Sequence, residues 1–198
     1  MAAVTITTLD PAVARTLEPR AAAPARRLRT IRTLTDAGIP VGVSVAPVIP
    51  FVTEPDLERI LAAAAEAGAI NAGYVMLRLP WEVSPLFRQW LEAHFPERAE
   101  RVMNRVRDMR GGKDYDSSFG TRMHGEGIWA DLIRQRFEKT VTRLGIGART
   151  GHFKGLDCSR FRAPSINPST TSAVAPSART AKVKDKSGEN SSGQFELF

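Results

Sequence analysis

Three short groups of hydrophobic positions near the start of the chain have the pattern of β-strands. The first runs from Val4 to Thr8. The second, IPVGVSVAPVIP at 39–50, is an almost continuous apolar run of β-branched residues that ends in proline, which is typical of a strand buried on both faces. The third, AGYVMLRLP at 72–80, has the same apolar character. We therefore predict three strands, the later two buried.

Helical patterns are predicted between these strands. Pro24 is placed to open a helix that runs through Leu34 and stops at Gly38. Thr53 is the expected N-cap of a second helix, TEPDLERILAAAAEAG, which has acidic residues in its first turn and ends at Gly68. Strands that alternate with helices through short loops indicate βαβ crossovers and a parallel sheet, so we predict the α/β class.

Beyond Trp81 the pattern becomes helical. Helices are predicted over 85–94, 97–109 and 127–144, and the last two are separated by a polar, glycine-rich loop, RGGKDYDSSFGTRMHGEG. This region reads as a helical extension of the α/β domain.

The composition changes again near the end of the chain. From Ala163 to Gly193 it is dominated by Ser, Thr, Pro, Ala and Lys, which predicts a disordered linker. We divide the chain into a domain at 1–150, a flexible linker at 151–193 and a short terminal peptide at 194–198.

The predicted sheet is incomplete. Three parallel strands cannot close a barrel, and a first strand at the terminus leaves an unpaired edge in a sheet that should be buried. We therefore expect a missing upstream segment, either lost from the chain or separately encoded as an N-terminal half.

Composition narrows the possible partners. The chain has 28 Lys and Arg against 21 Asp and Glu, a formal charge of +7, which favours polyanionic partners such as DNA, although an arginine-rich coding bias explains it equally well.

No signal-peptide pattern or apolar run of roughly 18 residues is present, so we expect a cytoplasmic protein without membrane contact. Cys158 is the single cysteine, so the chain has neither a disulfide framework nor a cysteine cluster for a metal.

Four stretches together resemble one family. They are TTLDPAVARTLEPRAAAPARRL, AGIPVGVSVAPVIPFVTEPDLERIL, GYVMLRLPWEVSPLFRQWLEAHFP and MRGGKDYDSSFGTRMHGEG. They look like the C-terminal half of a radical S-adenosylmethionine protein related to spore photoproduct lyase, in the DNA repair photolyase group. The resemblance covers about Val4 to Leu144 and implies the C-terminal part of a partial (β/α) barrel, followed by helices and a tail.

The resemblance also implies cofactors that this chain cannot hold alone. The family uses a [4Fe-4S] cluster, bound by a CxxxCxxC loop, and S-adenosylmethionine to generate a radical. Thiolates suit the cluster because iron–sulfur centres are held by soft sulfur ligands. The motif is absent here, so no metal-binding or catalytic residue is carried over onto this chain.

What the resemblance does carry over is the later half of the cofactor pocket. Thr7 and Thr8 would face the ribose or methionine part of S-adenosylmethionine, and Glu18 and Arg27 match positions suited to its amino and carboxylate groups. A salt bridge that fastens the following helix is the structural alternative for that pair. Ser44 is a weaker cofactor candidate, whose hydroxyl lies in an apolar strand and needs a partner.

Two basic features are candidate DNA contacts. In the glycine-rich loop, Arg110, Lys113 and Arg122 combine cations with free backbone amides, although an ordered loop that caps the barrel end is the alternative. On the predicted helix from Glu97, a stripe of arginines shares one face, which either follows a phosphate backbone or is an ordinary solvated surface; its members are Arg98, Arg101 and Arg105. The three histidines have no zinc-ligand spacing.

The last five residues, QFELF, resemble the pentapeptide by which bacterial polymerases and repair proteins bind the DNA sliding clamp. Gln194, Leu197 and Phe198 match that motif, whereas Phe195 and Glu196 depart from its commonest residues. Leu197 and Phe198 would fill an apolar pocket and Gln194 would fix the orientation by hydrogen bonds. An accidental apolar terminus is the alternative.

Three functional hypotheses follow. The first is a truncated radical S-adenosylmethionine protein whose full-length form acts on nucleic acid. The second is a non-enzymatic basic binding module tethered to the sliding clamp. The third is a decayed gene fragment that folds poorly because its sheet edge is open. The missing cysteines favour the second for this chain alone.

Overall fold

The computed structural model describes residues 1–148. The predicted linker at 151–193 and the terminal peptide lie outside the described residues. The strands and helices alternate before a helical region: β1 Ala2–Thr5, α1 Pro11–Leu17, α2 Pro24–Asp36, β2 Val41–Val48, a 3₁₀ turn Glu54–Asp56, α3 Leu57–Glu66, β3 Asn71–Met76, α4 Val83–His94, α5 Pro96–Asp108, α6 Gly127–Leu144 and β4 Gly147–Ala148.

All strands of the described chain lie in one parallel sheet in the order β1-β2-β3-β4. The predicted α/β class and parallel sheet are confirmed. The fourth strand is a finding beyond the prediction: it has two residues and pairs Gly147 and Ala148 with Asn71 and Ala72. β1 lies earlier in the chain than predicted, at Ala2–Thr5 rather than Val4–Thr8.

One face of the sheet forms the main hydrophobic core. Val43 and Val45 of β2 and Tyr74 of β3 are buried in one cluster with side chains of the covering helices. Those helices are α2, α3 and α6, which contribute Ile31, Ile60, Leu61, Ile133 and Phe137. Burying these apolar groups supplies the main driving force for folding this part of the chain.

The other face of the sheet is built from small residues. Ala3, Gly42, Ser44 and Gly73 are neighbours across β1, β2 and β3. Ala3 is exposed and Ser44 and Gly73 are half-buried, so this face is not packed like the first. The prediction that β2 is buried on both faces is therefore wrong at Ser44, although Gly42 on the same face is buried.

The helix boundaries follow the sequence with two exceptions. Thr53 does not cap the second predicted helix; its hydroxyl contacts the Pro47 carbonyl at 3.0 Å and accepts from the Ile49 amide at 2.8 Å, which ties the loop after β2 together instead. α1 was not predicted. It buries no residue and depends on Asp10, whose carboxylate accepts from the amides of Ala12 and Val13.

The helical extension has its own core. α4 and α5 pack against each other and against the segments that follow β2 and β3, with buried residues Ile49, Leu79, Phe87, Leu91 and Val102. No helix in the part of the chain that the structure describes is long and apolar enough to cross a membrane.

Candidate functional site

The small-residue face of the sheet borders a cavity of about 200 Å³. Its lining comes from β1, β2, β3 and the glycine-rich loop, with Ser44, Gly42, Gly73, Tyr74, Met123 and His124 among the lining residues. The loop is held here because the Met76 amide donates to the Met123 carbonyl at 2.8 Å, which continues the hydrogen bonding of β3 beyond its last residue. The cavity thus lies between the sheet and the glycine-rich loop.

His124 lies at the rim of this cavity and packs against Tyr74, whose ring belongs to the core face of the sheet. Their rings meet edge to face with centroids 4.9 Å apart, and Tyr74 also contacts Phe137 of the core at 4.8 Å. Burial, followed by the positive charge of Arg110, lowers the pKa of His124 below its usual 6.5. Burial raises the pKa of Tyr74 to about 12. Both groups are therefore neutral near pH 7 and offer hydrogen bonds without charge.

Ser44 presents its hydroxyl to the same cavity. It lies on β2 between Thr5 and Gly73 and is half-buried rather than buried. Its side chain makes no hydrogen bond with another residue of 1–148, so its hydroxyl can hydrogen-bond to a molecule in the cavity. The small size of its neighbours leaves room for a ligand to approach the strand backbone closely.

Thr7, Glu18 and Arg27 form a separate cluster just beyond the end of β1. The Thr7 hydroxyl lies 2.8 Å from Glu18 Oε2 and 2.9 Å from the Ala46 carbonyl oxygen. Arg27 Nη2 lies 3.2 Å from the same Glu18 oxygen, while its Nε and Nη1 donate to the Ala22 and Thr5 carbonyls. These contacts favour the structural alternative, a salt bridge that fastens the start of α2 to the end of β1.

Thr8 is also engaged by protein groups. Its hydroxyl donates to Asp56 Oδ2 at 2.7 Å and accepts from the Asp10 amide at 3.0 Å. Thr7 and Thr8 are 1% and 2% exposed, and the gap that they line with Glu18 and Arg27 measures about 10 Å³. A gap of that size holds one water molecule at most. The structure therefore brings these four candidates together but leaves Ser44 apart from them, in the larger cavity.

Metal ligands are missing from the described region. Among residues 1–148, no group of three or more His, Cys, Asp or Glu side chains is placed to bind a metal ion. Cys158 lies outside the described residues. Nothing in the described part of the chain fits a [4Fe-4S] cluster, whose irons need several thiolates.

Arg110 in the glycine-rich loop is a structural residue in this conformation. It is 4% exposed, and its guanidinium donates to the carbonyls of Leu77 and Thr121, both at 3.0 Å. Burial lowers its pKa, yet the group stays cationic because an arginine pKa begins above 12. The contacts of Arg110 favour the alternative of an ordered loop over a phosphate contact.

The rest of the loop is fastened through Asp114. This carboxylate accepts from Ser84 Oγ and Arg88 Nη2 at 2.6 Å and from Arg107 Nε at 3.0 Å, which joins the loop to α4 and α5. Lys113 is exposed, and the Arg122 guanidinium lies 4.5 Å above the ring of Phe119. Lys113 and Arg122 therefore remain candidates for phosphate contact without Arg110.

The arginine stripe of α5 shares one face, as predicted, and this face meets two aromatic rings. Arg101 lies 4.0 Å above the ring of Phe51 and Arg105 lies 4.6 Å above the ring of Trp129. Arg98 donates to the Phe51 carbonyl at 3.2 Å. These arginines thus join α5 to the loop after β2 and to α6, a packing role that the sequence pattern does not reveal.

The clamp-motif residues Gln194, Leu197 and Phe198 lie outside the described residues.

Among residues 1–148, sequence reasoning missed His124 and Tyr74, because a single histidine without a partner at metal-ligand spacing gives no signal. The motif FGTRMHGEG did mark the loop that contains His124, but the sequence does not show that this loop lies beside β3.

Comparisons of the chain with protein-family models, with curated proteins and with solved structures found no match. The resemblance to radical S-adenosylmethionine proteins therefore stays a prediction.

Proposed function

We propose that residues 1–148 are the C-terminal part of a partial (β/α) barrel of the radical S-adenosylmethionine type, acting on nucleic acid. The observation that carries the proposal is the contrast between the two faces of the sheet. Helices cover one face, while the other presents Gly42, Ser44 and Gly73 to a cavity with His124 at its rim.

This contrast is unusual for a parallel sheet. Such sheets occur almost only with both faces covered, because their crossover helices and barrel interiors exclude water from the strands. A face of small residues beside a polar cavity is suited to line the interior of a barrel that holds a ligand. The further strands needed to enclose it would come from an N-terminal half, encoded upstream or separately.

The cluster and the radical step would belong to that other half, since the described residues do not fit a [4Fe-4S] centre. The fit to S-adenosylmethionine is partial. The cavity of about 200 Å³ is smaller than the usual range of roughly 300–1,000 Å³ for small-molecule sites, so this chain would contact only one side of the cofactor. Ser44 and His124 would hydrogen-bond to it and orient it, and the Glu18–Arg27 pair would fix the strand end beside it.

Nuclear magnetic resonance tests the cofactor side of this proposal. S-adenosylmethionine is titrated to millimolar concentration into the isotope-labelled full chain. We expect amide shifts confined to the cavity lining, at Ser44, Gly73 and His124. Gly42→Val should weaken them, because a Cβ at Gly42 meets Asn71 no closer than 3.5 Å and the added methyl groups occupy the cavity instead of straining the fold.

Thr33→Val on the exposed side of α2 is the control and should leave the shifts unchanged. Shifts spread over the surface, or shifts that Gly42→Val does not reduce, would contradict a cofactor-lining role for this face. A second titration with S-adenosylhomocysteine tests whether the sulfonium charge is needed for binding.

A second candidate is a non-enzymatic basic module tethered to the bacterial sliding clamp, and the specific observation for it is the terminal QFELF. Binding of the peptide GQFELF to purified clamp is the direct test. Leu197→Ala and Phe198→Ala peptides should bind at least tenfold more weakly, because each loses an anchor in an apolar pocket. Equal binding of native and variant peptides would remove this candidate.

A further inference from the structure

Most arginines of the described chain have their guanidinium groups engaged by other protein groups. Arg110 is bound to two carbonyls, Arg101 and Arg105 lie over aromatic rings, and Arg136 binds two glutamates. Arginines whose N–H groups are bound to carbonyls or carboxylates have little capacity left for an external anion, and those over a ring are held in place by packing. The basic features that stand out in the sequence are therefore mostly used for packing.

Four arginines near the start of the chain are different. Arg15, Arg20, Arg26 and Arg29 are exposed, and within residues 1–148 none makes a side-chain hydrogen bond, an ion pair or a cation–π contact. Arg143 also lacks such contacts within residues 1–148, but its positive charge helps to lower the pKa of Glu58. The four unengaged arginines are thus concentrated on α1, α2 and the turn between them.

The local charge balance strengthens this concentration. Residues 10–36 contain six arginines and three acidic residues, of which Glu18 is paired with Arg27 and Asp10 accepts hydrogen bonds from the first turn of α1. The outer face of α2 carries a shallow groove of about 450 Å³ lined by Arg26, Arg29, Thr30, Thr33 and Leu34. From Arg26 to Thr33 the helix rises about 10 Å, the axial distance covered by about three phosphates of one DNA strand.

We infer that this α1–α2 surface, formed by Arg15, Arg20, Arg26 and Arg29, binds the phosphate backbone of duplex nucleic acid without reading its sequence. The inference rests on the proposed function only in taking nucleic acid as the partner. It does not involve the cofactor cavity, which lies on the opposite face of the sheet from α2.

Two observations favour a duplex over other anionic partners. Residues 11–36 contain no aromatic residue, whereas proteins that bind single strands use aromatic side chains to stack the bases. The apolar side of α2 is occupied by the core, with Ile31 buried and Leu28 and Leu34 packed against it. A helix that binds a membrane surface needs a free apolar face to enter the lipid, and α2 does not offer one.

The test measures how duplex binding by the full chain depends on salt. Fluorescence anisotropy with a labelled duplex gives the dissociation constant over a series of salt concentrations. Arg26→Gln/Arg29→Gln should reduce the slope of log K against log salt by about 2, because each arginine lost removes about one phosphate contact. Both side chains are exposed and make no hydrogen bond or ion pair within residues 1–148, so the thermal midpoint should change little.

The matched control is Arg59→Gln/Arg134→Gln, which removes the same number of charges. These side chains are also exposed, but they are paired with Asp56 and with Asp131 and Glu138. The control should leave the slope close to that of the wild type. Because residues 149–198 contain further Lys and Arg, the conclusion depends on the difference between the two double variants, not on the total slope.

The outcomes separate the two proposals. Equal slopes for the two double variants, or an unchanged slope for Arg26→Gln/Arg29→Gln with duplex binding retained, would overturn the α1–α2 surface and leave nucleic acid as the partner. No duplex binding by the wild type would overturn both the surface and the nucleic-acid part of the proposed function. Tighter binding to single strands than to duplex would also overturn the assignment to a duplex.

Discussion

Arg136 on α6 binds Glu58 on α3 through two side-by-side hydrogen bonds, Nε to Oε1 at 2.7 Å and Nη2 to Oε2 at 2.8 Å. Its remaining terminal nitrogen, Nη1, contacts Glu54 at the start of the 3₁₀ turn. The planar guanidinium therefore joins α3 and α6, two of the helices that cover the sheet, to the segment that leaves β2. This contact fixes α6, and with it the start of the segment that reaches β4.

Replacing Arg136 with glutamine should lower the free energy of unfolding by about 1–3 kcal/mol. Glu54 is left almost buried, at 8% side-chain exposure, without its cation. The loss is smaller than the usual cost of breaking a fully buried pair, because Arg136 and Glu58 are 26% and 33% exposed and solvent screens them. Urea unfolding at pH 7 measures the change.

Arg134→Gln is the matched control, two residues away on the same helix. Arg134 pairs with Asp131 and Glu138 on the exposed side of α6, and such pairs contribute about 0.5 kcal/mol or less. If the two variants lose equal stability, Arg136 has no special role in joining α3 and α6.

The same ion pair predicts a dependence of stability on pH. The side-chain hydrogen bond from Arg136 lowers the pKa of Glu58 below its ordinary value of 4.5. The folded state therefore favours the ionised carboxylate, so the stabilisation is complete above pH 4.5 and is lost as pH falls through the lowered pKa. Unfolding free energies measured at several acidic pH values should fall less steeply for Arg136→Gln than for the wild type, and parallel curves would contradict this.

His124 predicts a second and separate pH effect. Its pKa is lowered from 6.5 chiefly by burial, so the folded state favours the neutral ring. Its contribution is complete above pH 6.5 and is lost as pH falls from there to the lowered pKa. A proton NMR titration should give a His124 midpoint below that of the same ring in the urea-unfolded chain. An equal or higher midpoint would mean that the ring is solvated and is not packed on Tyr74.

How far the sequence predicts this fold depends on the length of each pattern. β2, α2 and α6 were predicted closely because each has many apolar positions at a regular spacing and a clear stop, such as Gly38 after α2. α1 was missed because it has seven residues and buries none, so no hydrophobic periodicity marks it. β1 was predicted too late in the chain, because its first residues, Ala2 and Ala3, carry no strand signal, whereas the buried residues from Ile6 to Thr8 follow the strand.

The candidate site was less predictable, because its contacts join segments distant in the sequence. Arg110 belongs to a polar, glycine-rich loop that reads as exposed, and only the folded chain brings the carbonyl of Leu77 to its guanidinium. The same applies to His124, which reaches Tyr74 because the loop lies beside the end of β3. The Glu18–Arg27 contact was predicted as one of two alternatives, because the two residues lie only nine positions apart in the sequence, on either side of the turn between α1 and α2.

Two glycines that end neighbouring helices should differ sharply in their tolerance of alanine. Gly38 follows α2 with φ +73° and has open space where a Cβ would be, so Gly38→Ala should cost about 1–2 kcal/mol for the left-handed backbone alone. Gly68 follows α3 with φ +102°, and its Cβ would lie 2.6 Å from Thr35 Cγ2. Gly68→Ala should therefore cost about 2–3 kcal/mol more than Gly38→Ala, because α2 and α3 must separate or Thr35 must leave its hydrogen bond to the Gly68 carbonyl.

Thermal and urea unfolding of Gly38→Ala and Gly68→Ala measure this difference in stability. Gly68→Ala/Thr35→Ala should recover part of it by removing the clashing methyl group, whereas equal losses for the two single variants would show that α2 and α3 do not pack closely at this point.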